Sequence, residues 1–381
     1  MDFSLNETQT SMKDSITKFA HNELNNDLID NDEKSLFPRS NWKKCAQMGL
    51  LGLPISEDYG GVGEDLLTTA IAIEALGYGC RDSGLVHAIV TQILCALQIT
   101  LFGNDFQKQK YLPRICQGEM ICAQAITEPD AGSDALAMRT RAEKVNGQYV
   151  INGSKMFISN APIADTVLVF ALTNPERKKF GGISCLIVEK GLQGFMCGKP
   201  LDKMGLRTLQ NGELVFDECV IPLDNLVGVE GQGSIIFNET LQLERTLLFA
   251  SHLGTMQRVI EVCIKYAKER HQFGQPIGKF QSVSNKIANM KVSIELGRLI
   301  LYKSAWLKDQ VKRANLETSI TKLFISESLK QACLDAIQIH GGYGYMKEFE
   351  IERDLRDSIA STLYSGTSEI HRNIISALLG L

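Results

Sequence analysis

The hydrophobic pattern of this chain changes period twice, and that change limits the architectures open to it. Through the first third, apolar residues recur at helical spacing, as in "LLTTAIAIEAL" and "HAIVTQILCALQIT". From about residue 119 to 232, short apolar or alternating runs take over: "DTVLVFALT", "GGISCLIVEK" and "GELVFDECVIP". Two Asn-Gly pairs, Asn146-Gly147 and Asn152-Gly153, sit among alternating residues in "VNGQYVINGSK" and predict a hairpin. Helical spacing then returns. Phe280, Val283, Ile287, Met290, Ile294, Gly297 and Leu301 form one stripe, and "TSITKLFISESLKQACLDAIQIHGG" forms another, stopped by Gly341-Gly342. The order α, β, α over 381 residues predicts three domains: helical 1–118, antiparallel sheet 119–232 and helical 233–381.

Charge and composition exclude several functions. A formal net charge of −4 leaves no electrostatic footprint for nucleic acid, and "ERKK" at 176–179 reads as a solvated loop. Ten cysteines are scattered without a C-x-x-C pair, as expected for buried free thiols in a reducing cytoplasm. The six histidines are isolated, so no metal site is expected. "MDFSLNETQTSMKDSITKFAHNEL" reads as a capped polar helix rather than a signal peptide, and no run approaches ~18 consecutive apolar residues, so no membrane span is expected.

The usual nucleotide fingerprints are missing. "GVGEDL" and "GQGSII" lack a third glycine and read as turns. "AITEPDAGSD" (125–134) is different: a strand ends at Ile126, and Thr127, Gly132, Ser133 and Asp134 crowd a tight loop. Backbone N–H groups in such a loop suit an anionic or heteroaromatic ligand, although a plain Pro-Gly loop has the same composition.

"LQLERTLLFASH" (241–252) places Glu244 and Arg245 inside an apolar run. Burying a charge there is costly unless it is paired or its pKa shifts. Glu244 is a helix-surface charge, half of an ion pair or a catalytic base. Adjacent helical positions point ~100° apart, which weakens the ion-pair reading.

Five runs in order, "AITEPDAGSD" (125–134), "NGSKMFISNAPIAD" (152–165), "YAKERHQFGQPIGKFQ" (266–281), "IHGGYGYMKEFEIERDLRD" (339–357) and "YSGTSEIHRNI" (364–374), together resemble the acyl-CoA dehydrogenase family. The resemblance spans essentially the whole chain. It implies an α+β fold with an N-terminal helical domain, a middle antiparallel β domain and a C-terminal four-helix bundle. It further implies FAD between the sheet and the C-terminal helices, and usually a homotetramer. By family position, Ile126 and Thr127 address the flavin ring, Phe157 flanks it and Ser159 lies near N5. Ser133 lies near the pyrophosphate or the pantetheine arm. Arg270, Gln272, Phe273, Gln281, Gln338 and Gly342 resemble positions that grip the FAD of a neighbouring subunit. Thr367 and Glu369 resemble the pair closing over the adenosine side of FAD, where many relatives carry Gln in place of Glu369. A fixed guanidinium at Arg270 suits a pyrophosphate, and Gly342 permits close backbone approach. The same Arg270 also reads as a charge complementing a helix C-terminus.

The family's reaction removes the α-proton of a thioester while hydride leaves the β-carbon for flavin N5. The base must be a carboxylate of raised pKa in a dry site. Many relatives place a Glu one residue before the Gly-Thr of the last motif, where this chain has Ser365. Either the chain is inactive or its carboxylate comes from elsewhere. A smaller branch carries the base in "L-x-L-E-R", which matches "LQLER" and puts Glu244 in that role. Arg245 then either meets the substrate's pantetheine or phosphate side or is solvated, and the Ser365 backbone N–H holds the developing enolate oxygen together with a flavin ribityl hydroxyl.

"SNAPIAD", "PLDKMGLRT", "ITKLFISESL" and "RDSIASTLYSGTSEIHRNII" are similar to the prolyl-carrier-protein dehydrogenases and oxidases of secondary metabolism, including toxin biosynthesis. That similarity implies a prolyl thioester on a peptidyl or acyl carrier protein, oxidised to a pyrroline or pyrrolyl thioester. Dioxygen or an electron-transfer partner would reoxidise the flavin. A short- or branched-chain acyl-CoA dehydrogenase and a catalytically silent scaffold are the competing readings.

Overall fold

The computed structural model describes residues 4–177, 180–310 and 312–381. The two lysines of "ERKK" lie outside the described residues. Six helices come first: α1 (Glu7–Glu23), α2 (Leu28–Lys34), α3 (Arg39–Gln47), α4 (Leu66–Gly79), α5 (Ser83–Phe102) and α6 (Asp105–Cys116). Their starts follow local chemistry. Asn6 accepts from the Gln9 N–H at 2.8 Å while the Gln9 side chain accepts from the Asn6 N–H at 3.2 Å, a capping box repeated at Asn104 and Gln107. Asp65 and Asp82 cap α4 and α5 through their carboxylates. Helix α5 is 20 residues long, and by length and apolar composition it meets the test for a membrane span; 83% of its most apolar window is buried inside the protein, as in a core helix.

The middle region is an eight-stranded sheet: β1 (Cys122–Ala125), β2 (Arg141–Val145), β3 (Gln148–Ser159), β4 (Thr166–Leu172), β5 (Ile183–Glu189), β6 (Phe195–Cys197), β7 (Asn211–Pro222) and β8 (Leu226–Val227). Strand order is β6-β7-β3-β2-β4-β5-β8, with β1 paired to β4. Most pairs are antiparallel, but β1–β4 and the short β2–β4 contact are parallel, so the sheet is mixed where an all-antiparallel one is expected. Asn146 and Gly147, with φ of 50° and 77°, make the tight β2–β3 turn. Asn152-Gly153 does not turn. It lies within β3, where pairing with β7 shifts register between Ile151 and Gly153, and Gly153 at φ 143° packs against Thr140 with no room for a Cβ. Asn152 instead bonds Glu218 twice across the bulge, accepting from its N–H and donating to its carboxylate.

The C-terminal helices are α7 (Gly233–Glu269), α8 (Gln281–Asp309), α9 (Asn315–His340), α10 (Ile351–Ala360) and α11 (Ser368–Leu378), with a short hairpin β9 (His271–Gln272) and β10 (Gln275–Pro276) after α7. Met290, Ile294, Gly297 and Leu301 of the expected stripe are buried on α8, with Val283 and Ile287 packed partly against the same core. Gly341, at φ 59°, ends α9. Helix α7 also crosses α4 closely: a Cβ on Gly77 would lie 2.2 Å from the Ser251 carbonyl oxygen, and one on Gly254 would lie 2.1 Å from that of Glu74. The two glycines set the crossing and hence the position of Glu244. All ten cysteines are free, nine of them buried.

Candidate active site

Glu244 lies midway along the first half of α7, partly buried, and accepts a hydrogen bond from the Ser365 hydroxyl, 121 positions later. Burial raises its pKa, opposed by that hydrogen bond and by the charge of Arg245. The two neighbours do not meet as an ion pair. Arg245, 8% exposed, instead donates from Nε to the Ser365 carbonyl at 3.2 Å. Burial lowers Arg245 to about 10.

Ser365 is held from three directions. Its carbonyl also lies 3.0 Å from His371 Nε2, on α11. Burial pushes His371 down to about 3, so the ring is neutral and Nε2–H donates. Ser365 itself has φ 57° and precedes Gly366 at φ 93°, a left-handed turn that the carbonyl contacts lock. Tyr364 completes the cradle: its hydroxyl lies 2.6 Å from His252 Nε2 on α7, and burial holds His252 neutral at about 3.

The expected flavin-facing residues lie on the sheet. Ile126 and Thr127 follow β1, and their carbonyls accept from Lys155 Nζ at 3.0 Å and the Met156 N–H at 2.8 Å. The buried Lys155 also pairs with Glu128 at 2.9 Å, and Glu128 accepts further from the N–H groups of Arg139 and Thr140. Burial lowers Lys155 to about 8, while Lys155 and these donors outweigh burial and keep Glu128 below its usual range. Neither residue stands out in the sequence. The one signal is local: Lys155 falls in the alternating β3 run, where an inward-facing lysine needs a buried carboxylate. Asn211 Nδ2 donates to both the Phe157 carbonyl and Ser159 Oγ at 3.2 Å, fixing this end of β3. Ser133 is exposed in the loop before β2.

Arg270, Gln272 and Phe273 sit around the β9–β10 hairpin, with Gln281 at the start of α8 and Gln338 and Gly342 at the end of α9; all six are exposed. A cleft of about 420 Å³ is lined by Tyr266, Arg270, Gln272, His340, Gly341 and Gly342 among others. Glu244 and Arg270 are 26 residues apart on the same helix or its cap, ~39 Å along the axis at 1.5 Å per residue. Glu244 and Arg270 are therefore far apart along α7. Thr367 caps α11 by accepting from the Ile370 N–H at 3.3 Å, and Glu369 is exposed in its first turn.

These residues suit a planar, anionic cofactor. Phe157 is 65% exposed and Phe273 93%, each held at positive φ, so two aromatic faces stand out where a heteroaromatic ring would cover them. Among the described residues no carboxylate pairs with Arg270, whose guanidinium lies over the Tyr343 ring at 5.7 Å.

Three domain families match the chain: acyl-CoA dehydrogenase N-terminal domain over 6–119, middle domain over 123–219 and C-terminal domain over 231–380. The chain belongs to the acyl-CoA dehydrogenase family. Within that family it is 41% identical over 383 residues to an L-prolyl-[peptidyl-carrier protein] dehydrogenase of Pseudomonas fluorescens, covering 100% of both chains. The crystal structure of the prolyl acyl carrier protein oxidase AnaB superposes with a TM-score of 0.98 at 44% identity, covering 99% of this chain and 100% of that one. PigA, in a structure with FAD and proline, superposes with a TM-score of 0.98 at 39% identity over 100% of both.

Proposed function

We propose that this enzyme, an FAD-dependent oxidoreductase, dehydrogenates a prolyl thioester carried on a peptidyl or acyl carrier protein, giving a pyrroline or pyrrolyl thioester in secondary-metabolite biosynthesis. The observation that carries the mechanism is the Glu244 carboxylate: partly buried, raised in pKa and bonded to the Ser365 hydroxyl at the place where many relatives carry the base. Glu244 takes the α-proton. Bound FAD supplies the acceptor for the hydride leaving the β-carbon. The Ser365 N–H, in a left-handed turn held by Arg245 and His371, is the chain's donor to the enolate oxygen. Arg245 therefore acts through Ser365, while Ser133 serves the pyrophosphate or the pantetheine arm.

Ile126, Thr127, Phe157, Ser159, Thr367 and Glu369 hold one FAD, and Arg270, Gln272, Phe273, Gln281, Gln338 and Gly342 hold the FAD of a neighbouring copy. The ~39 Å between Glu244 and Arg270 along α7 supports that division. A second apolar stripe on α8, Val292, Leu296 and Leu299, each at least 50% exposed, supports a homotetramer. Domains at 1–118, 119–232 and 233–381 fit the ends of α6 and β8. Nine buried free thiols support a reducing, cytoplasmic location. Dioxygen or an electron-transfer partner takes the electrons.

The test is incubation with prolyl-loaded carrier protein, following the thioester's mass. Loss of one or two pairs of hydrogen atoms supports the proposal. An unchanged mass, alongside flavin bleaching by a short-chain acyl-CoA, overturns it.

A further inference from the structure

Helix α5 runs alongside the Glu244 cluster, and one of its faces is not sealed. Ala88, Ile89, Gln92 and Ile93 have no exposed surface, yet His87 and Thr91, one turn apart, each keep 9%. Cys95, one turn further on, feels the charge of Glu244. At the other end the His87 ring meets Tyr364 edge to face, with centroids 5.1 Å apart. The next residue, Ala88, has its carbonyl bonded by Asn160 Nδ2 at 3.2 Å, immediately after Ser159. His87 thus packs on Tyr364, next in the chain to Ser365, and precedes the residue whose carbonyl holds Asn160 at the end of β3.

His87 differs from the other two histidines of this cluster. His252 is engaged by Tyr364, and His371 by the Ser365 carbonyl. Among the described residues neither ring nitrogen of His87 makes a hydrogen bond, and Nδ1 is fully buried without a partner. Burial keeps the ring neutral, down to about 4, with Lys203 pushing the same way. A buried N–H lacking an acceptor costs more than a buried lone pair, so the proton belongs on Nε2.

We propose that His87 is a specificity residue: its Nε2–H donates to the ring nitrogen of the prolyl group, which binds as the neutral amine, while the ring carbons pack against Tyr364. This rests on the prolyl reading above. A site built around an unpaired polar atom discriminates strongly against a ligand lacking the complementary one.

The experiment compares kcat/KM for carrier protein loaded with proline and with cyclopentanecarboxylate, a carbocycle of the same shape without the nitrogen. The wild-type enzyme is expected to favour proline, and His87→Leu to lower that preference on the order of 10- to 100-fold. The loss falls on proline, with the carbocycle rate retained. His87→Gln, which keeps a donor, is expected to recover part of the preference. Flavin absorbance and thermal melting report whether each variant is folded. An unchanged preference in both variants, or an equal loss on both substrates in folded protein, overturns the proposal. A wild-type enzyme that oxidises neither carrier substrate but accepts an acyl-CoA instead overturns the prolyl reading itself.

Discussion

The Ser365 hydroxyl donates to the Glu244 carboxylate, joining the C-terminal motif to the middle of α7 across 121 positions. The residue standing where many relatives carry the base is thus bonded to the proposed base. Glu244→Gln removes the proton acceptor at constant shape and is expected to lower turnover ~10²–10⁴-fold. The fold is expected to stay intact. Glu244's folded pKa is raised, so its contribution to stability is complete below the unfolded value and falls as pH rises through the folded one. At neutral pH the neutral amide keeps or raises Tm. Thermal melting and the flavin spectrum check both parts.

Ser365→Ala keeps the backbone N–H and removes only the hydroxyl. That hydrogen bond favours the ionised form of Glu244, so its loss raises the carboxyl's pKa further. Activity needs the carboxylate, and the acid limb of the kcat/KM profile is expected to move to higher pH. Well above that limb, activity within ~10-fold of wild type is expected, since the general base itself remains. A limb that does not move contradicts the coupling.

Arg245→Lys keeps the charge but loses the Nε donor to the Ser365 carbonyl. A lower kcat with little change in KM is expected if Arg245 positions Ser365. A residue contacting the substrate's phosphate would raise KM instead. Combined with Ser365→Ala, the effect on the pH profile is expected to be less than additive, because both changes act on one contact.

Lys155→Met leaves Glu128 buried against the 126–134 loop without its cation. Breaking a buried pair costs ~3–5 kcal/mol, and the resulting drop in stability is measurable by urea unfolding. Adding Glu128→Gln is expected to recover a large share, since no uncompensated charge then remains. Weaker FAD retention in Lys155→Met would place the ion pair in support of the Ile126–Thr127 backbone.

The α, β, α order, the helix stripe on α8, the Asn146-Gly147 turn and the Gly341 stop all follow from spacing and turn chemistry within a few residues. The candidate base was legible for a related reason: a carboxylate in an apolar helical run is conspicuous, and Ser365 leaves the alternative position without one. Asn152-Gly153 shows the limit of that local reading. The same dipeptide becomes a bulge because Thr140 and β7 pack against it, partners far away along the chain. Lys155 with Glu128 and Arg245 on the Ser365 carbonyl are likewise settled by contacts spanning 27 and 120 positions, and His87 is left without a partner by the packing around it. A pKa, a hydrogen-bond direction or an unpaired donor depends on what packing brings within ~3 Å. Local periodicity carries no information about that distance.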